Sequence, residues 1–296
     1  MDMAIKAAGE THPGRVRQNN EDAFFPSRTN GALDPAGAAR NGQLFVVADG
    51  VGGNRGGARA SEIAVSRLPV FFYGASNGDT AGALRRSMDS VAHEIVSEAA
   101  AHPDRANMSC TVVAAVVKDG QATIGHMGDA RAYLLRGGSL RQLTRDDTWV
   151  QMQVDKGTLT EAEAAAHPER NIITKSMGNP SFPEPAVTQL SLQPGDRLLL
   201  CSDGLSGVAA DAEIAAILAK APDPAAAVRP LIDLANQKGG PDNVTAVVVQ
   251  IGRPVAAGGV AATAAGRSRG PLLVSLAVLA AVMVGAFFLL QPAGGG

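Results

Sequence analysis

The sequence predicts an α+β domain of antiparallel sheets covered by helices, followed by a C-terminal transmembrane helix. Three observations carry this reading. Strand-like and helix-like segments come in groups, strands beside strands and helices in consecutive pairs, which disfavours a regular βαβ alternation. Over the 296 residues, 46% hydrophobic and 18% charged residues suit a globular protein with a sizeable core. Finally, Leu272 to Leu290 is a run of 19 residues without a charge.

Gln43 to Ala48 (QLFVVA) reads as a buried strand that ends in Asp49-Gly50. Ala58 to Phe72 and Thr80 to Ala101 read as two consecutive amphipathic helices. Ser109 to Val117, Gln121 to Met127 and Arg131 to Leu135 are expected to form a meander turned by Asp119-Gly120 and Gly128-Asp129. Asp146 to Arg170 is polar and helical, with Thr160-x-x-Glu163 as a capping box. Val187 to Leu190 and Arg197 to Cys201 are strands, helices follow near Asp211 to Lys220 and Ala225 to Lys238, and Val244 to Ile251 closes the domain as a strand. The folded domain is thus expected over residues 1–251.

Residues 252–270, rich in Gly and Ala and without hydrophobic period, read as a flexible linker. The membrane helix is expected over 271–290 and a short tail over 291–296. At helical rise the uncharged run spans about 28 Å, close to the hydrocarbon thickness of a bilayer. Arg267 and Arg269 precede it and no charge follows, so the positive-inside rule keeps the N-terminal domain cytoplasmic, on a single-pass protein of the inner or plasma membrane. Met1 to Thr11 lacks the apolar core of a signal peptide. A formal charge of −2 and a pI of about 6.2 give no basic surface for nucleic acid. Cys110 and Cys201 lie in separate apolar runs without a C-x-x-C pair, so buried thiols are expected, not a disulfide or zinc site.

Four acids share a local pattern. Asp49 follows LFVVA, Asp129 follows IGHMG, Asp203 follows LLLCS, and Asp242 precedes Asn243 and VTAVVV. Each is a carboxylate at the edge of a buried strand beside glycine or a turn, and Glu21-Asp22 adds a further pair. Taken singly, each is equally well explained as an Asp turn. If they converge, they repel, and either protonate or need cations. Oxygen-only ligands select hard ions, Mg(II) or Mn(II), over zinc or copper. Spacing alone does not show that they converge. The glycines of 50–57 fail the dinucleotide pattern, since its sixth position is Arg55, and no phosphate-loop motif exists.

Arg17-Gln-Asn-Asn-Glu21-Asp22, Val47-Ala-Asp49-Gly50-Val-Gly-Gly53, Gly128-Asp129-Ala-Arg131, Cys201-Ser-Asp203-Gly204-Leu205 and Gly239-Gly-Pro-Asp242-Asn243, in that order across residues 4 to 251, resemble the protein phosphatase 2C (PPM) family. Ser109-Cys-Thr111, Leu143-Thr144-Arg-Asp146 and Asn171 to Gly178 are lesser matches, and the bacterial membrane-tethered branch is the most similar. The resemblance implies a four-layer α-β-β-α sandwich of two antiparallel sheets flanked by helices. It implies hydrolysis of phosphoserine or phosphothreonine in proteins by a metal-activated water at a dinuclear centre. Asp49 would bridge two Mn(II) or Mg(II) ions, with the Gly50 carbonyl as a further ligand. Asp203 and Asp242 would complete the first ion, and Glu21 and Asp22 would serve the second. Asp129, sharing Asp203, would form a third, weaker site. Arg17 would grip the substrate phosphate, and Thr148 to Arg170 would be a mobile flap over the cleft. Val51 stands where animal members carry a histidine acid, which leaves water at the centre as the expected proton donor. Phosphorylated proteins and a cognate serine/threonine kinase are the implied partners. The alternative is a membrane-tethered pseudophosphatase that only binds phosphoproteins; its expected signature, loss of a ligand carboxylate, is absent.

Overall fold

The computed structural model describes residues 3–26, 35–51, 55–75, 78–181 and 183–254. The expected membrane helix, and the linker from residue 255 onward, lie outside the described residues. Among those described, no helix is long and apolar enough to cross a membrane.

The elements run β1 (Met3–His12), β2 (Ala23–Phe25), α1 (Pro35–Asn41), β3 (Gln43–Val51), α2 (Arg55–Gly74), α3 (Thr80–Ala101), β4 (Ser109–Lys118), β5 (Gln121–Met127), β6 (Arg131–Arg136) and β7 (Ser139–Gln142). They continue through α4 (Trp149–Asp155), α5 (Glu161–Ala166), β8 (Ala186–Ser191), β9 (Arg197–Cys201), α6 (Asp203–Ser206), α7 (Asp211–Lys220), α8 (Pro224–Gln237) and β10 (Val244–Pro254). Two five-stranded sheets result, ordered β1-β10-β9-β6-β7 and β2-β3-β4-β5-β8, with every neighbouring pair antiparallel.

Strand alternation sets the layers. In β3, Phe45 and Val47 pack with Val113, Ala115, Leu198, Leu200, Val247 and Val249 into the core between the sheets. Leu44, Val46 and Ala48 face the other way, onto α2 and α3. On the second sheet, Tyr133, Leu199, Ala246 and Val248 face α7 and α8. Central strands are therefore buried on both faces and read as unbroken apolar runs. Helix ends are satisfied locally: Asp79 accepts the Gly82 N–H before α3, and Thr160 and Glu163 form the expected capping box of α5.

The expected meander does not form. β4 and β5 pair as a hairpin, but β6 crosses to the other sheet, where it lies between β9 and β7. The turn at Gly128, with φ +101°, is thus a change of sheet and not a hairpin. The long polar helix expected over 146–170 is instead two short helices, α4 and α5, broken around Gly157 at φ +71°.

Candidate metal centre

At the upper end of the inter-sheet core the apolar side chains give way to acids. Asp49 shares the inward face of β3 with Phe45 and Val47, and stands opposite Thr111 of β4. From the other sheet come Asp203, the first residue after β9 and Ser202, and Asp242, two residues before β10. Arg17, Glu21, Asp49, Gly50, Asp129, Asp203 and Asp242 line one cleft of about 450 Å³. Of the residues named from sequence, only Asp22 stands behind it, nearly buried.

Asp22 ties the sheets together. Its Oδ2 accepts hydrogen bonds from Ser202 Oγ and Thr245 Oγ1, each at 2.7 Å, whereas Oδ1 is buried without a partner. Asn243 shapes the loop that carries Arg17 and Glu21. Its Oδ1 accepts from the Glu21 N–H at 2.7 Å, and its Nδ2 donates to the carbonyls of Pro13 and Asn19 at 3.0 and 2.8 Å. A Cβ at Gly57 would meet the Glu21 carboxylate and come within 2.8 Å of the Gly50 backbone, so glycine lets α2 approach β3 there.

Burial and mutual repulsion dominate the electrostatics. Asp49 is held well above the usual carboxylate range, by burial first and then by Asp22, Asp203 and Asp129. Burial pushes Asp22 to about 7 against the two hydroxyl hydrogen bonds, which favour its charge. Asp129 is also raised to about 7, by burial first and then by Asp203 and Asp146. Asp203 is raised by burial and by Asp242. Glu21 is raised by burial, with Arg17 opposing. Such a set is costly unless protons or cations neutralise it.

The donor chemistry fits hard divalent cations. Every candidate ligand is an oxygen, and two buried oxygens beside Asp49, Asp22 Oδ1 and Thr111 Oγ1, have no protein partner. Among the described residues, however, no three His, Cys, Asp or Glu side chains are already gathered as a cage for an ion. The carboxylates take partners from the protein instead. Asp49 and Asp203 lie close enough to share a proton, and Asp242 Oδ2 pairs with Arg17 Nη2 at 2.7 Å. That last pair is largely exposed and worth little, about 0–1 kcal/mol, so a cation or a phosphate can displace it.

Beside the cleft, Asp129 and Asp203 also line a second pocket of about 260 Å³ under α4 and α5, with Thr148, Gln151, Glu161, Arg170 and Asn171. Arg131 grips Asp146 through both carboxylate oxygens at 2.7 to 3.0 Å. Sequence reasoning missed Ser202, Thr245 and the structural role of Asn243. A single hydroxyl inside an apolar strand carries no local signal. Among the described residues no histidine lines the cleft. His126 is buried in β5 and its Nε2 lies 2.8 Å from the Arg145 carbonyl. Cys110 and Cys201 are buried free thiols, as expected.

Comparison with known proteins gives a consistent result. The family model described as protein phosphatase 2C matches residues 11–247. The serine/threonine protein phosphatase PstP of Mycobacterium tuberculosis is 36% identical over 249 residues, which are 84% of this chain and 45% of that protein. The chain thus spans about half the length of that relative. The serine/threonine phosphatase stp of Listeria monocytogenes is 34% identical over 252 residues, 83% of this chain and 96% of that one. The crystal structure of the Mycobacterium tuberculosis phosphatase superposes with a TM-score of 0.74 at 36% identity, covering 84% of this chain and 99% of that one. A catalytic domain of PstP in complex with two manganese ions superposes with a TM-score of 0.73 at 34% identity, covering 85% and 100%.

Proposed function

The chain belongs to the protein phosphatase 2C family, and on that premise we propose that it removes phosphate from phosphoserine and phosphothreonine in proteins, with divalent cations as cofactor. The observation that carries this reading is the convergence of carboxylates from both sheets on one cleft, with oxygen donors only and two buried oxygens without partners.

Asp49, Asp203, Asp242 and the Gly50 carbonyl would hold a first pair of ions together with Glu21 and Asp22, and Asp129 with Asp203 a third. Manganese or magnesium there supplies Lewis acidity toward phosphoryl oxygens and lowers the pKa of water. The protein's own residues do the rest. Asp49, placed where both sheets end, fixes the position of attack relative to the cleft. With Asp242's charge taken up elsewhere, Arg17 is free to pair with two phosphoryl oxygens, a task suited to its planar fork. Asn243 holds Arg17's loop in place through three hydrogen bonds. No histidine reaches the cleft among the described residues, so we read the donor to the leaving alkoxide as water.

We also infer that Leu272 to Leu290 tethers the domain to a membrane, with the catalytic part cytoplasmic, and that phosphoproteins and a serine/threonine kinase are its partners. The first rests on the uncharged run and its flanking arginines, the second on analogy within the family. The test is manganese-dependent release of phosphate from a phosphothreonine peptide, compared with a sugar phosphate and with Asp49→Asn. Peptide turnover that requires manganese and vanishes in the variant is expected. Turnover unchanged in Asp49→Asn would remove Asp49 from the centre, and binding without turnover would favour a pseudophosphatase.

A further inference from the structure

The segment 148–172, which contains the expected flap Thr148 to Arg170, leaves the domain through one narrow neck whose two arms lie side by side. Thr148 bridges to Ile173, the Trp149 N–H donates to the Ile172 carbonyl at 2.8 Å, and the Thr174 N–H donates to the Asp147 carbonyl at 2.7 Å. Asp147 stands at this neck with its side chain 14% exposed. Its Oδ2 accepts the Gly128 N–H at 3.0 Å, its own N–H donates to the Gly128 carbonyl at 2.9 Å, and its Oδ1 pairs with Lys175 Nζ at 3.0 Å.

One carboxylate therefore touches three pieces of chain. The first is the turn that presents Asp129, since Gly128 is the preceding residue and lies against Thr111 in a conformation reserved for glycine. The second is the outgoing arm, already fixed by Arg131 on Asp146 and by His126 on the Arg145 carbonyl. The third is the returning arm, where Lys175 sits two residues before Met177, which bridges to Cys110. Asn171 and Ile173 on that arm line the main cleft. Movement at the neck thus displaces cleft walls, and loss of the Gly128 hydrogen bond displaces Asp129.

We propose that Asp147 is a positioning residue, which holds the Asp129 turn through Gly128 and holds the flap neck closed through Lys175. It touches neither substrate nor cation. The two duties use different oxygens and separate by mutation. Asp147→Asn keeps an acceptor for the Gly128 N–H but loses the charge pair. Lys175→Met loses only the pair, and Asp147→Ala loses both. The inference rests on the phosphatase reading for its kinetic consequence, but not for its structural one.

The chain has a single tryptophan, Trp149, at the flap neck with its ring 5.1 Å from that of His167, so its fluorescence reports the neck without any turnover. In the full chain, acrylamide quenching of Trp149 should rise about two-fold in Lys175→Met, Asp147→Asn and Asp147→Ala, as the neck opens more often. Binding of the third manganese, the one assigned to Asp129, should weaken about ten-fold by calorimetry in Asp147→Ala alone, the size expected when a residue supporting a ligand is lost. On a phosphothreonine peptide, Lys175→Met should raise KM about three-fold and leave kcat near wild type. Wild-type quenching in Lys175→Met would overturn the neck duty. Equal affinity for that third manganese in Asp147→Ala and wild type would overturn the turn duty. Should Asp147→Ala fail to fold, Asp147→Asn decides the second point: ten-fold weakened manganese binding in it would contradict a role through the retained acceptor. A protein that lacks phosphatase activity altogether would still give the quenching and calorimetric results, so the two readings fail separately.

Discussion

Raising the pH of the metal-free protein should lower its stability, and manganese should reverse the trend. Asp22 and Asp129 are pushed from an ordinary 3.8 to about 7 in the folded state. Between these values the unfolded chain has released a proton that the folded chain still holds. Their contribution to stability is therefore full below about 3.8 and is lost as pH rises through 7. From pH 5 to 7 the loss is about 2.5 kcal/mol for one such carboxyl, at 1.36 kcal/mol per pH unit. In a domain of this size about 1 kcal/mol moves the melting temperature by roughly 2–4 °C, which gives a fall of about 5–10 °C between pH 5 and 7. The assay is thermal unfolding by circular dichroism with a chelator, then with saturating manganese. Asp22→Asn keeps an acceptor for Ser202 and Thr245 and should roughly halve the metal-free slope, since Asp129 remains. Manganese should reverse the slope, since protons then compete with the ion. A metal-free melting temperature that is flat or rises from pH 5 to 7 would refute the reasoning, as would an unchanged slope in Asp22→Asn.

Other outcomes follow from single contacts. Arg17→Ala should leave stability within about 0.5 kcal/mol, because the ion pair to Asp242 is exposed, yet raise KM for a phosphopeptide about ten-fold; steady-state kinetics beside a melting curve checks both. Gly57→Ala should displace the Glu21 carboxylate and weaken manganese binding about ten-fold by calorimetry, with the sheets intact by circular dichroism. Leu272→Arg with Ala281→Arg should weaken membrane attachment, chiefly through Ala281→Arg at the middle of the run, where a charge costs about 3 kcal/mol on insertion scales; undiminished sedimentation with the bilayer fraction would contradict the anchor.

How much could be read in advance depended on where each element sits. Strands covered on both faces, such as Gln43 to Ala48 and Arg197 to Cys201, are apolar runs that need no partner to be recognised. The missed strands β1, β2 and β7 are all sheet edges, short or half-exposed, with patterns set by what they pair with. The transfer of β6 to the second sheet was invisible because Gly128-Asp129 looks the same in a hairpin and in a crossover. The acids were legible as a set only through the order of their motifs. The structure adds what their spacing withholds, namely that Asp49 descends from one sheet, Asp203 and Asp242 from the other, and that Asp22 is held by hydroxyls of the second. The pairing of Asp147 with Lys175, 28 positions away, had no local trace.

The placement of β10 bears on how the domain comes into being. This last described strand enters the middle of its sheet, between β1 and β9, and the loop just before it delivers Asp242 and Asn243. During synthesis, β1 must wait for nearly the whole domain to be made before its neighbour arrives, a contact of very long sequence separation that slows folding. Until then β1 is not joined to the rest of its sheet, and Asp242 is not held at the cleft. The acidic cleft should therefore assemble in one step, late, and a fragment ending before Val244 should lack it and be prone to aggregate.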